Sequence, residues 1–536
     1  MPEWNYADVW ESVAATSADE PALIQGRRSV TWAAFDAMAD SLAAAMLEAG
    51  LDRQAKVACC LVNRPEFLIT VFAAFKAGLV PFNVNCRSGA EDLLYLLQNG
   101  DAETVVFEAE LGGKIDSIRD LLPRVKLWIA VGHPVRDWAI AWSDVADRKV
   151  EGPVRPPWGR SGLDLLIIYS SGTTGMPKGV MWRQEDLFAA IDYAAFPELD
   201  IRPLDHPGQG GESAAAGQRP VALIACPLAH GAGLMNAIAA LSAGGAVVVL
   251  PSRRFDAVEL LDEAERLQVN RISIVGMAFC TPMLEVLDLF PGRWDLSSLK
   301  AIGSSGAMWS YENKQGLLRH LPHLTLADIF ASSEAFGMGL SMSHLGGEAQ
   351  TARFEVGENC AVFREDGARV RPGSGERGRV AVGGPIPQGY YNDPVRTGAT
   401  FPIIEGRRWS MSGDWATVQA DGRLTLLGRG AQRIEVDGET VFPEEVEEAL
   451  KRHAAVRDAA VVGLPNAQAG EFICALVELK AGTESPTAEE LSDWVRNQLA
   501  SHKAPRRVVF VHTVNRAPDG RLDYRTLRDL AEERAV

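Results

Sequence analysis

At 536 residues, the chain is too long for one ordinary hydrophobic core, which points to several domains or one large domain with an appendage. Apolar residues at 47% and charged residues at 23% exclude a disordered or fibrous protein. A net charge of −17 argues against a general nucleic-acid or anionic-membrane binder, since both partners require clustered positive charge.

The start, MPEWNYADVW, has no basic segment followed by an apolar run, so no secretory signal is expected. Helical and strand signals then alternate. "TWAAFDAMADSLAAAMLEAGL" has apolar residues at helical spacing and ends at Gly50; "KVACCLV" follows as a short buried strand. "PEFLITVFAAFKAGLVPFNV" repeats the order of helix, glycine and strand, and "VELLDEAERLQVNRISIVG" repeats it again. This pattern predicts an α/β protein with at least partly parallel sheets.

The stretch "YSSGTTGMPKGVMW", 169–182, combines glycines, hydroxyl side chains and Lys178. Such a turn lets backbone N–H groups approach a phosphate, although composition alone allows an exposed β-turn equally well. It is not a Walker A loop, because Pro177 precedes Lys178 and Gly179 follows it. Further along, "PLDHPGQGGESAAAGQRP", 203–220, reads as a mobile surface excursion. The apolar run from Ala237 to Leu250 is interrupted by Gly244 and Gly245 and falls short of the roughly 20 residues of a membrane span. Cysteines at 59, 60, 86, 226, 280, 360 and 474 form no CxxC pair and read as reduced thiols, so a cytoplasmic location is expected. After "TLLGRGAQRIEV", the segments "FPEEVEEALKRH", "VRDAAVVGLP", "FICALVEL", "AEELSDWVRNQL" and "RRVVFVHTV" predict a compact α+β unit of about 100 residues.

The run "YSSGTTGMPKG" resembles the phosphate-binding signature of the adenylate-forming enzymes, the superfamily of acyl-CoA synthetases, peptide-synthetase adenylation domains and luciferases. "FAAFKAGLVPFNVN", "CPLAHGAG", "SSGAMWS", "DIFASSE", "GGPIPQGYYNDP", "WSMSGDWA", "LTLLGRG" and "VDGETVFPEEVEEAL" follow in that superfamily's order. The resemblance implies an N-terminal domain of several subdomains, 1–428, that binds AMP and the acyl group, and a small rotating C-terminal lid, 429–536. It implies an acid–thiol ligase in which a carboxylate attacks the α-phosphate of Mg-ATP and the thiol of coenzyme A then displaces AMP. "GVMWR", with Met181 and Trp182, is similar to synthetases for bulky steroid and terpenoid acids; medium-to-long fatty acids are the next expectation. Other superfamily roles are an adenylating enzyme that loads a carrier protein, or a nucleotide-binding relative without catalysis.

Residue by residue, the resemblance assigns Ser170, Ser171, Gly172, Thr173, Thr174, Gly175 and Lys178 to the phosphates. Ser305, Gly306, Ala307 and Phe330 go to the adenine side, Asp414 and Arg429 to the ribose, and Asp328 and Gly438 to the cofactor-binding set. Glu334 stands at the Mg²⁺ position beside Ser333, where threonine is usual, and His230 lies between the acyl pocket and the α-phosphate. Arg521, in "RAPDGRLDYRTL", occupies the position of the catalytic lysine. Ala431 and Glu435 also depart from the usual lid residues. These departures imply either neutral drift outside any tight site, or weakened adenylation and a chain that acts mainly on a preformed acyl-adenylate, supplied by a partner adenylating synthetase.

Overall fold

The structure, a computed structural model, describes residues 4–534 apart from 171–175, 192–198, 200, 202, 308, 348–351, 437–438, 467–469 and 518–521. Ser171, Gly172, Thr173, Thr174, Gly175, Gly438 and Arg521 therefore lie outside the described residues.

Two eight-stranded sheets and a five-stranded antiparallel sheet precede residue 430. In one large sheet, Lys56–Cys60, Val80–Asn83, Ala102–Glu108 and Leu127–Val131 run parallel, as the repeated order of helix, glycine and strand predicts. The turn glycines Gly50 and Gly78 sit at φ 76° and 64°, a left-handed backbone that favours glycine after a helix. The second large sheet aligns Val221–Ile224, Arg271–Ile274, Ala301–Ser305 and Thr325–Ser332 in parallel. Helices Trp32–Glu48 and Pro65–Lys76 pack against each other, and Trp10, Phe35 and Phe72 meet at ring-centroid separations of 4.8–5.9 Å.

The stretch 203–220 corrects the expectation of a mobile excursion. Residues Gln209–Ala215 form a helix packed on the first helix, Tyr6–Thr16. Its glycines permit that packing: a Cβ at Gly210 would lie 2.2 Å from the Ser242 carbonyl oxygen, and one at Gly211 would lie 2.4 Å from Thr16 Oγ1. Here glycine serves close approach rather than freedom of the chain.

Beyond residue 430, two small apolar cores contain only residues from Ile434 onward, whereas the main core ends at Leu424. The C-terminal sheet pairs Val456–Asn466 with Gly470–Leu479 and adds Arg507–Val511 in parallel. Helix Pro443–Lys451 lies against this sheet. No helix among the described residues is long and apolar enough to cross a membrane.

Candidate active site

A cavity of about 180 Å³ opens between the end of the second parallel sheet, the antiparallel sheet and the C-terminal unit. Gly306, Ala307, Asp328 and Phe330 line it from the first, and Asp414 and Arg429 from the second. Ligands of open α/β sheets bind at the carboxyl ends of parallel strands, and Ala301–Ser305 brings Gly306 to such an end. Gly306 turns there at φ 84°.

Asp414 and Arg429 are direct partners in an antiparallel pair, which places Arg429 Nε 3.5 Å from Asp414 Oδ1. Ser412 Oγ donates to Asp414 Oδ2 at 2.7 Å. Asp414 and then Glu334 raise the Arg429 pKa against the cost of burial, so the guanidinium stays charged. Asp328 lines the same wall, but Lys314 Nζ contacts its Oδ2 at 2.9 Å. Burial pushes Asp328 up from the ordinary carboxylate range, and Lys314 opposes that shift. Phe330 presents an aromatic face beside Phe354, 5.2 Å away between ring centres.

Ser170 and Lys178 are opposed in the hairpin Leu165–Ser170 and Lys178–Arg183, so the glycine-rich loop joins two antiparallel strands. Asn83, buried at the end of Val80–Asn83, ties this hairpin to the His230 turn. Tyr169 N–H donates to Asn83 Oδ1 at 2.7 Å, and Asn83 Nδ2 donates to the carbonyls of Tyr169 and Ala229. His230 precedes helix Gly231–Ser242, and a Cβ at Gly231 would lie 3.4 Å from Ser333 Oγ. The Ser333 carbonyl accepts from Trp182 Nε1 at 2.9 Å, so Trp182, which is fully buried, braces the proposed metal segment. Asn83→Ala leaves buried backbone groups unpaired; we expect a loss of about 1–3 kcal/mol in denaturant unfolding and weaker nucleotide binding.

The C-terminal unit closes the cavity with Glu444, Glu447, Lys451, Arg516, Leu522 and Tyr524. Arg429 N–H donates to Glu444 Oε1 at 3.2 Å, whereas Oε2 is buried without a hydrogen bond. A Cβ at Gly428, where φ is 146°, would meet Oε2 at 2.2 Å, so a side chain there would strain the backbone and displace the Glu444 carboxyl. Burial, reinforced by the charge of Glu447, pushes Glu444 up from its ordinary 4.5 to about 8. Between these values the folded chain holds a proton that the unfolded chain has lost, so stability falls as pH rises. Glu444→Gln should flatten this decline, read as the denaturation midpoint from pH 5 to 8.

The structure brings Gly306, Ala307, Asp328, Phe330, Asp414 and Arg429 to one cavity. Ser305 ends the strand that delivers Gly306. Lys178, His230, Ser333 and Glu334 do not line the cavity, but Glu334 is near enough for its charge to act on Arg429, and Ser410 Oγ donates to the Glu334 carbonyl at 2.6 Å, two residues before Ser412, which holds Asp414. Asn83, Tyr390, Glu444 and Tyr524 were not singled out by sequence. Asn83, Tyr390 and Glu444 stand inside motif blocks, but their contacts join segments far apart in the chain.

The model of the family described as AMP-binding enzyme matches residues 10–391, and that of the AMP-binding enzyme C-terminal domain matches 445–521. A medium/long-chain-fatty-acid–CoA/3-oxocholest-4-en-26-oate–CoA ligase of Mycolicibacterium smegmatis is 35% identical over 99% of this chain and 97% of its own length. A 3-oxocholest-4-en-26-oate–CoA ligase of Rhodococcus rhodochrous is also 35% identical, over 98% and 95% of the two chains. Among solved structures, the anthranilate CoA ligase AuaEII in complex with anthranoyl-AMP superposes with a TM-score of 0.85 at 21% identity, covering 100% of this chain and 99% of the other, which shows a shared fold.

Proposed function

The chain belongs to the AMP-binding enzyme family, and from that premise we propose that it is an AMP-forming acid–thiol ligase. It makes the CoA thioester of a hydrophobic carboxylic acid, with polycyclic steroid-type acids first and medium-to-long fatty acids second. The observation that carries this reading is the cavity in which Asp414, Arg429, Gly306 and Phe330 converge under the C-terminal unit.

In the first half-reaction, a carboxylate oxygen of the acid bonds to the α-phosphorus of ATP and pyrophosphate leaves. In the second, the CoA sulfur bonds to the acyl carbon, AMP leaves with the anhydride oxygen, and the thiol proton passes to the medium. Asp414 accepts from the ribose hydroxyls and Arg429 donates to the same sugar, while Phe330 stacks on adenine. Ser170, the glycine-rich loop through Gly175, and Lys178 take the phosphates. Ser305 and Ala307 line the adenine side, Asp328 is held by Lys314, and Gly438 serves the lid face.

Glu334 suits a magnesium ion by its chemistry: one carboxylate beside a phosphate-binding segment is the usual protein share of a magnesium–nucleotide site. Among the described residues no group of three or more His, Cys, Asp and Glu side chains is placed to hold a metal without a nucleotide. When bound, Mg²⁺ neutralises charge on the phosphate oxygens. Ser333 keeps a hydroxyl next to that carboxylate in the chain, and His230 serves the acyl side from the turn whose next residue, Gly231, approaches Ser333. Residues 429–536 form the lid, a boundary supported by the separate cores on either side of it.

Arg521 favours a division of labour in which the chain works best on acyl-adenylate delivered by a partner adenylating synthetase. Purified chain with CoA, Mg-ATP and a panel of steroid-type and fatty acids, read by mass spectrometry of CoA thioesters, tests the substrate class. Thioesters confined to short polar acids would contradict it.

A further inference from the structure

Tyr390 stands between two groups assigned to Mg-ATP. It lies in the short strand Gly389–Tyr390, which extends the hairpin carrying Lys178 and pairs Tyr390 with Val180. Its backbone is fixed from behind: Tyr390 N–H donates to Thr397 Oγ1 at 2.9 Å, and a Cβ at Gly389 would lie 2.4 Å from Thr397 Cγ2. The ring packs edge-on to Phe401 at 5.8 Å, and its face lies 5.2 Å from Lys178 Nζ. The phenol O–H donates to Glu334 Oε1 at 2.8 Å. The Ser410 hydroxyl fixes the Glu334 backbone at its carbonyl.

Resting on the ligase reading, we propose that Tyr390 is a positioning residue that holds Glu334 as a one-oxygen ligand and thereby selects magnesium over calcium on the bound nucleotide. With Oε1 accepting from the phenol, the carboxylate's rotation is fixed and Oε1 is a weaker ligand than Oε2. Mg²⁺ demands a tight octahedron with single-oxygen carboxylate contacts and phosphate oxygens, whereas Ca²⁺ accepts both oxygens of a carboxylate in a looser, larger shell. A carboxylate held at one oxygen suits the first ion and weakens the two-oxygen grip open to the second. The same ring gives Lys178 a weak resting place by cation–π attraction, from which a triphosphate can draw it.

Calorimetric titration of wild type and Tyr390→Phe with AMP, Mg-ATP and Ca-ATP, without acid or CoA, tests this assignment. Phenylalanine keeps the ring under Lys178 and removes only the hydrogen bond. We expect Mg-ATP to bind about tenfold more weakly to Tyr390→Phe, the factor typical of one lost bond to a charged group. Ca-ATP should be unchanged or tighter, and AMP unchanged. Equal weakening of Mg-ATP and Ca-ATP, parallel weakening of AMP, or no change in any ligand would overturn the assignment while leaving the ligase reading intact. Wild type that binds neither AMP nor Mg-ATP would overturn both.

Discussion

Replacing Arg521 by lysine is expected to raise pyrophosphate release from acid and Mg-ATP by on the order of a hundredfold, the scale of a misplacement of about 1 Å at a reacting centre. Thioester formation from supplied acyl-adenylate should change by less than about twofold, because the phosphoryl chemistry is then already complete. Arginine keeps the charge but is longer, planar and forked, so it cannot take the place of a compact ammonium between a carboxylate and an α-phosphate. Residues on both sides of position 521 reach the cavity: Arg516, Leu522 and Tyr524 line it. Arg516 is bound to Asp458 at 2.6 and 2.8 Å, and the Tyr524 hydroxyl donates to Glu447 at 3.1 Å. Lys451 is paired with Glu448, and Arg429 with Asp414. The three described lid cations at the cavity are thus committed to carboxylates, and none stands in for the lysine. Equal rates of pyrophosphate release in Arg521→Lys and wild type would remove Arg521 as the block.

Asp414→Ala should weaken AMP binding by about a hundredfold, since two ribose hydroxyls each lose a charge-assisted bond worth on the order of 1.5 kcal/mol. Arg429 then loses its main charge partner, the largest cause of its raised pKa, and part of the loss reflects that exposed imbalance. The ligand can be varied instead of the protein. Removing the 2′-hydroxyl should cost wild type about tenfold by the same bond energies and cost Asp414→Ala almost nothing. Calorimetry with AMP and 2′-deoxy-AMP reads both effects. A hydroxyl-independent loss in Asp414→Ala would assign Asp414 to the fold rather than to the sugar.

Parallel α/β organisation was legible because its signal is local. Helices such as Pro65–Lys76 end at a glycine whose positive φ the sequence announces, and buried strands such as Lys56–Cys60 follow within a few residues. Gln209–Ala215 was misread because a glycine pair has two physical uses, freedom and close approach, and only the facing surface decides between them. That Asp414 and Arg429 belong together was legible from motif order, and the strand register explains their spacing, since they face one another across one hairpin. Asn83, Tyr390 and Glu444 were not, because each acts through a partner that the chain reaches only by folding. Tyr390 meets Glu334 from 56 residues away, and Asn83 meets Ala229 from 146. The carboxyl of Glu444 is set apart from its helix neighbours by its contacts with the Arg429 N–H and with Gly428, which the chain brings to it only by folding.

Two parallel assays of the purified chain, read as CoA thioester by mass spectrometry, test the central claim most directly. One supplies a steroid-type acid with Mg-ATP and CoA; the other supplies the corresponding acyl-adenylate with CoA. We predict thioester in both, with the second faster by on the order of a hundredfold, the cost assigned above to a misfitted charge at the α-phosphate. Absence of thioester from both would contradict the ligase reading, and equal fast turnover in both would contradict the role given to Arg521.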